Sequence, residues 1–64
     1  MKQFFVAKND KQLGICLRML FAENLQYRVR VVMNDKNKVG FQIQAFVTKD
    51  EFEKLNRRYE ILIS

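Results

Sequence analysis

Apolar and polar residues alternate along residues 25–33 and again along residues 39–47, which is the period of half-buried β-strands. The polar residues 34–38 between them suit a turn. Folding the two arms on this turn places apolar residues opposite one another: Met33 and Val39, Val31 and Phe41, Val29 and Ile43, Tyr27 and Ala45, and Leu25 and Val47. The pattern predicts an antiparallel hairpin with one apolar face, whose register is specified because a one-residue slip would expose that face.

A strand and a helix are predicted before the hairpin. Residues 3–7 read Gln-Phe-Phe-Val-Ala, and their four consecutive apolar residues favour a central strand that is covered on both faces. A helix is predicted from about residue 10 to residue 24, with Asn9 or Asp10 as its N-cap and a left-handed Asn24 at its end. Its buried face is predicted to contain Leu13, Cys16, Leu17, Leu20 and Phe21.

Three residues of this helix need a separate explanation. Glycine within a helix costs about 1 kcal/mol relative to alanine, so we expect a neighbouring backbone to approach Gly14 closely. Ile15 and Met19 lie one turn apart and off the main apolar face. They are predicted either to pack against a second helix or to form a secondary surface for a partner.

The second helix is predicted to begin at Thr48. Thr48 and Glu51 have the spacing of a capping box, and Phe52, Leu55 and Tyr59 would form its inner face. Residues 59–63 fit either a helix or a strand. Their β-branched composition favours a strand, and so do Arg57 and Arg58, which would compensate the dipole of a helix ending there. The same arginine pair also fits a nucleic-acid contact.

The predicted order of elements is βαββα, with a further strand if the tail is extended. It resembles the ferredoxin-like α+β sandwich, a two-layer fold with an antiparallel sheet and two helices on one face, here in a single domain over residues 1–64.

Residues 40–46, Gly-Phe-Gln-Ile-Gln-Ala-Phe, are similar to the third strand of RNA recognition motif domains. That family would require Phe41 and Ile43 to face RNA. The alternation instead places both side chains with the core, so no binding residue is carried over from the family.

The net charge and the composition of the chain indicate which kinds of partner and which cellular setting to expect. A net charge of +5 favours nucleic acid or an acidic protein surface as a partner. The single cysteine excludes an internal disulfide and fits a reducing cytoplasm. We expect neither a signal peptide nor a membrane span. The absence of Pro and Trp, with many Lys, Asn, Ile and Phe residues, indicates an AT-rich coding sequence, as in a low-GC bacterium or its phage.

No catalytic constellation is visible in the sequence. There is no histidine, and Cys16 is predicted to be buried without a base to activate it. The acidic residues fall at caps, turns and helix surfaces, and the two glycines form no phosphate-binding loop. The prediction is a non-enzymatic protein without a metal or a small-molecule cofactor.

The polar face of the hairpin is the candidate binding surface, because arginine, glutamine and aromatic side chains alternate with the apolar set. Its predicted residues are Gln26, Arg28, Arg30, Gln42, Gln44 and Phe46. The first strand would add either Phe4 and Val6 or Phe5 and Ala7. This composition suits a protein partner or self-association, and it also suits bases and phosphates. An ordinary solvated face with cross-strand Arg–Gln pairs is the third interpretation.

Overall fold

The computed structural model describes residues 3–33, 36 and 38–64. It is a small α+β domain in which three antiparallel strands, in the order β1-β3-β2, accompany two helices. The elements are β1 (Gln3–Ala7), α1 (Asp10–Ala22), β2 (Tyr27–Met33), β3 (Val39–Ala45) and α2 (Lys49–Ile63). The predicted turn at residues 34–38 lies largely outside the described residues.

The hairpin forms with the predicted register. Val29 lies opposite Ile43, and the ladder runs from the pair of Tyr27 and Ala45 to that of Met33 and Val39. The predicted pairing of Leu25 with Val47 is wrong. The Leu25 amide instead donates to Leu20 O (3.1 Å) at the end of α1, and Val47 leads into the cap of α2.

The prediction that β1 is central and covered on both faces is wrong, because β3 occupies the centre of the sheet and β1 is an edge strand. Phe5 and Ala7 are buried, whereas Phe4 and Val6 are exposed. Four consecutive apolar residues therefore divide between the core and the exposed surface of the sheet. This division resolves the alternative left by the sequence: Phe4 and Val6 are the residues that share the exposed surface with the polar face of the hairpin.

The apolar face of the hairpin is buried on β3 only. Ile43 and Ala45 are buried, but every apolar residue of β2 that should share this face is exposed. The reason is the position of the core, to which β2 contributes no residue. The buried core residues come from β1, β3 and both helices: Phe5, Ala7, Cys16, Met19, Leu20, Ile43, Ala45, Leu55 and Tyr59.

The capping residues of α1 are those that the sequence predicts, although the helix ends at Ala22 rather than at residue 24. Asn9 Oδ1 accepts a hydrogen bond from the Gln12 amide (2.9 Å), and Asn24 adopts a left-handed backbone with φ 56°. The predicted burial of Phe21 is wrong, since its side chain is 80% exposed. At about 100° per residue, Phe21 lies roughly 140° around the helix from the buried Cys16, outside the arc that the core covers.

The expectation of a close backbone approach to Gly14 is also wrong, because no described atom outside its chain neighbours and the surrounding backbone of α1 lies within 4 Å of the position that a Cβ would occupy. Gly14 therefore carries the conformational cost of glycine in a helix without a packing benefit.

We expect Gly14→Ala to stabilise the domain by about 1 kcal/mol, because alanine loses less conformational entropy when the helix forms. In a domain of this size the change corresponds to a rise in Tm of about 4–8 °C. Thermal unfolding followed by circular dichroism measures it. An unchanged or lower Tm would mean that the backbone near Gly14 is more crowded than the structure indicates.

The N-cap of α2 is confirmed, since Thr48 Oγ1 accepts a hydrogen bond from the Glu51 amide at 3.2 Å. The strand favoured for residues 59–63 is wrong, because α2 continues to Ile63. Tyr59 is buried and its hydroxyl donates to Val6 O (2.8 Å), while Ile63 packs against the core. These contacts prolong the inner face of α2 by a further turn.

Arg57 and Arg58 consequently lie within α2 rather than in its last turn, so the predicted compensation of the helix dipole is wrong. Arg58 forms an exposed ion pair with Glu23 near the end of α1, with 3.0 Å between Nη1 and Oε1. Exposed pairs of this kind add little stability.

Candidate functional site

The predicted binding residues lie on the face of the sheet opposite the buried side chains, and we call this surface the Arg–Gln face. Its members are Phe4, Val6, Gln26, Arg28, Arg30, Val32, Gly40, Gln42, Gln44 and Phe46. Two rows cross all three strands, Arg28–Gln44–Phe4 and Arg30–Gln42–Val6. The arginines therefore occupy the β2 edge, the half-buried glutamines the centre, and the apolar residues the β1 edge.

Phe46 and Arg28 form a contact at one end of this face. The Phe46 amide donates to Gln26 O (3.2 Å), which extends the ladder one pair beyond the strands. The Phe46 ring is 51% exposed, and Cζ of Arg28 lies 5.9 Å from its centroid. A guanidinium at this distance is attracted by the electrons of the ring.

The Arg–Gln face is electropositive. Arg28 and Arg30 are the charged residues among its members, and none of its members is acidic. The acidic residues in the described part of the chain lie on the helices or directly beside them: Asp10, Glu23, Asp50, Glu51, Glu53 and Glu60. A polyanion or an acidic segment would meet no like charge from this face.

A second exposed surface, which the sequence analysis missed, lies on the other side of the hairpin. We call it the apolar strip; its members are Tyr27, Val29, Val31, Met33 and Val39. All are exposed, Val31 by 61% and Met33 by 64%. Their alternation is clear in the sequence, but that pattern does not reveal that the core ends before β2. Contiguous apolar side chains on a surface are typical of an interaction site.

The secondary candidates, Ile15 and Met19, lie between the two helices. Met19 is buried in the core, and Ile15 is half-buried against it. Of the two predicted roles, the structure places this pair in helix packing. A buried Met19 offers no accessible contact, which favours the packing role for this pair.

Cys16 is fully buried, and its burial raises the pKa of the thiol to about 11. A thiol with such a pKa is protonated near neutral pH and is a poor nucleophile. Burial likewise raises the pKa of Tyr59, whose hydroxyl donates a hydrogen bond to Val6 O in β1.

Within residues 3–33, 36 and 38–64, no group of His, Cys, Asp or Glu side chains is arranged to hold a metal ion.

In the same described residues, neither helix has the length and apolar character needed to cross a bilayer. Comparison of the chain with protein-family models, with curated proteins and with solved structures finds no match.

Proposed function

We propose that this protein is a small, non-enzymatic binding protein that acts by contact with another protein through the Arg–Gln face and the adjoining edge of β2. The observation that carries the proposal is the exposure of β2 on both sides. Arg28 and Arg30 project from one face, and the apolar strip projects from the other. Arginine and aromatic residues are enriched at protein interfaces, and exposed apolar side chains gain free energy when a partner covers them.

The proposed architecture is ferredoxin-like, with both helices on one face of the sheet and without the final strand. The strand order β1-β3-β2 and the shared core of β1, β3 and both helices support it. This fold hosts many unrelated functions, so the proposed function depends on the surface alone.

The proposed setting is the cytoplasm of a bacterium, where a phage or mobile-element product would modulate a host protein. The single reduced cysteine and the AT-rich character of the sequence support this setting.

The experiment that tests the proposed function compares two double variants of equal charge. Arg28→Ala with Arg30→Ala removes both charges from the Arg–Gln face, and Lys11→Ala with Arg57→Ala removes two charges from the helices. A protein captured from nuclease-treated lysate is purified, and its affinity for the wild-type chain and both variants is measured by calorimetry. We expect the first variant to bind about tenfold more weakly or worse and the second to bind normally.

The first variant should keep the wild-type Tm, because exposed side chains leave no cavity when they are truncated. Equal affinities for both variants would contradict the proposal, as would a failure to capture any protein once the lysate has been treated with nuclease.

Nucleic-acid binding is the second candidate, and the Arg28–Phe46 contact is the observation that favours it. A guanidinium beside an exposed ring suits a phosphate and a stacked base. For this function, the dependence of log affinity on log salt for single-stranded DNA would be steep. The change of Arg28 and Arg30 to alanine would flatten it by up to about two units, one for each phosphate that is no longer neutralised. A protein partner would give a much smaller change in slope.

A further inference from the structure

The two edges of the sheet, β1 and β2, differ in whether their outward-facing backbone groups accept or donate hydrogen bonds. In an antiparallel ladder, residues that exchange hydrogen bonds alternate with residues whose amide and carbonyl point away. The bond from the Phe46 amide to Gln26 O fixes this alternation for β2. The backbone groups of Arg28 and Arg30 are directed to β3, and those of Val29 and Val31 are directed outward.

The edge formed by β1 is partly closed. Continuing the alternation through β3 directs the carbonyl of Val6 away from the sheet, and that carbonyl accepts the hydrogen bond from the Tyr59 hydroxyl at 2.8 Å. A side chain of α2 thus occupies an outward carbonyl near the end of this edge. Within the described part of the chain, no comparable bond reaches the outward groups of Val29 or Val31.

Along the open edge, which is formed by β2, two kinds of side chain lie on opposite faces of the sheet. The residues with outward backbone groups belong to the apolar strip, and the arginines between them belong to the Arg–Gln face. A strand added antiparallel to β2 would form hydrogen-bonded pairs with Val29 and Val31. Its residues opposite Arg28 and Arg30 would form the closer, non-hydrogen-bonded pairs, in which side chains approach most.

We infer that the edge of β2 binds an extended peptide segment in which acidic and apolar residues alternate, and that this segment joins the sheet as a fourth strand. The inference rests on the proposed function and specifies its partner. The acidic side chains of the segment pair with Arg28 and Arg30, while its apolar side chains cover Val29 and Val31. Backbone hydrogen bonds supply affinity, and the alternation of the two side-chain types supplies specificity.

A second copy of this chain fits the edge less well. The net charge of +5 on each copy opposes association. If the β2 strands of two copies paired about Arg30, the Arg30 side chains of the two copies would lie opposite each other. If they paired about Val29, Arg28 of one copy would lie opposite Arg30 of the other. Directly opposed like charges are destabilising. Pairing about Val31 avoids these opposed arginines. In that register, however, Arg28 extends past the end of the β2 strand of the other copy and has no strand residue opposite it.

The test uses the full chain and a fluorescein-labelled peptide of alternating valine and glutamate, with binding measured by fluorescence anisotropy. We expect saturable binding at equal stoichiometry. A peptide with lysine in place of glutamate should bind at least about tenfold more weakly. The double variant Arg28→Glu with Arg30→Glu should reverse this preference, because each pair of opposed charges is exchanged while the apolar strip is unchanged.

Methylation of peptide amides separates strand addition from charge attraction alone. In the inferred geometry the valine amides point toward β2, and the glutamate amides point away. N-methylation of the valines should therefore abolish binding, whereas N-methylation of the glutamates should change the affinity by no more than about twofold. Equal effects of the two methylations would overturn the inference, as would binding of a block-ordered peptide of the same composition with equal affinity.

Three further outcomes would overturn the inference, and they have different consequences for the proposed function. If no peptide binds although a purified protein partner still requires Arg28 and Arg30, strand addition is wrong and the proposed function stands. If sedimentation shows a dimer whose β2 edge is protected from hydrogen exchange, a second copy is the occupant. If single-stranded DNA competes with the peptide and binds with a steep salt dependence, both the inference and the proposed function are wrong.

Discussion

Phe5→Ala is expected to leave the domain largely unfolded at 37 °C. Phe5 is 1% exposed, and its ring packs against Phe52 and Tyr59 with centroids 4.7 and 5.7 Å apart. Truncation of a buried phenylalanine costs roughly 3–5 kcal/mol. A chain of 64 residues has a total stability of only roughly 3–10 kcal/mol, so one substitution removes much of it. Thermal and urea unfolding followed by circular dichroism measure the loss.

The neighbouring residue provides the matched control. Phe4 lies on the same strand with its side chain on the Arg–Gln face, where it is 42% exposed. We expect Phe4→Ala to cost less than about 1 kcal/mol, because much of its surface stays in water on folding. Phe5→Leu keeps most of the buried volume and should remain folded with an intermediate Tm. Similar losses for Phe4→Ala and Phe5→Ala would show that β1 is covered on both faces, as the sequence alone suggested.

The sequence predicts those features of the fold that depend on neighbouring residues. Side-chain parity within the hairpin gives the register of Val29 with Ile43, and the capping residues Asn9 and Thr48 give the start of each helix. In each case the signal is local, since a side chain and the backbone group that it satisfies lie within a few residues of each other.

Features that depend on the placement of whole elements are not predicted. A run of four apolar residues in β1 is equally compatible with a central strand and with an edge strand that exposes Phe4 and Val6. Residues 59–63 are helical, and Tyr59 and Ile63 make contacts with the core and with Val6 that the local composition does not indicate. The exposure of Phe21 likewise follows from the limited arc of α1 that the core covers.

For the candidate site too, the sequence predicts one part and does not predict the other. The arginines and glutamines of the Arg–Gln face follow from the alternation of the hairpin, and the structure brings them together in rows. The apolar strip could not be predicted, because the same alternation marks Tyr27, Val29 and Val31 as core residues. Their exposure results from a core that ends at β3. An apolar pattern therefore identifies the face on which a side chain lies, whereas the extent of the core determines whether that side chain is buried.

A matched pair of substitutions across the hairpin tests this last point. Ile43 and Val29 lie directly opposite each other on one face of the sheet, yet Ile43 is fully buried and Val29 is exposed. We expect Ile43→Thr to destabilise the domain by at least about 2 kcal/mol, since it removes apolar volume and buries a hydroxyl without a partner. Val29→Thr should change the free energy of unfolding by less than about 0.5 kcal/mol, because threonine has a similar strand propensity and its hydroxyl would face water.

Urea unfolding separates these effects from changes in the unfolded state, because a true loss of native stability lowers the midpoint and leaves the slope unchanged. If Val29→Thr were as destabilising as Ile43→Thr, the apolar strip would be part of the core, and β2 would have no exposed apolar surface to offer a partner. If only Ile43→Thr is destabilising, Val29 is available for binding. The same Val29→Thr variant should then bind the alternating peptide more weakly, because a hydroxyl replaces a methyl group at the surface that the peptide covers.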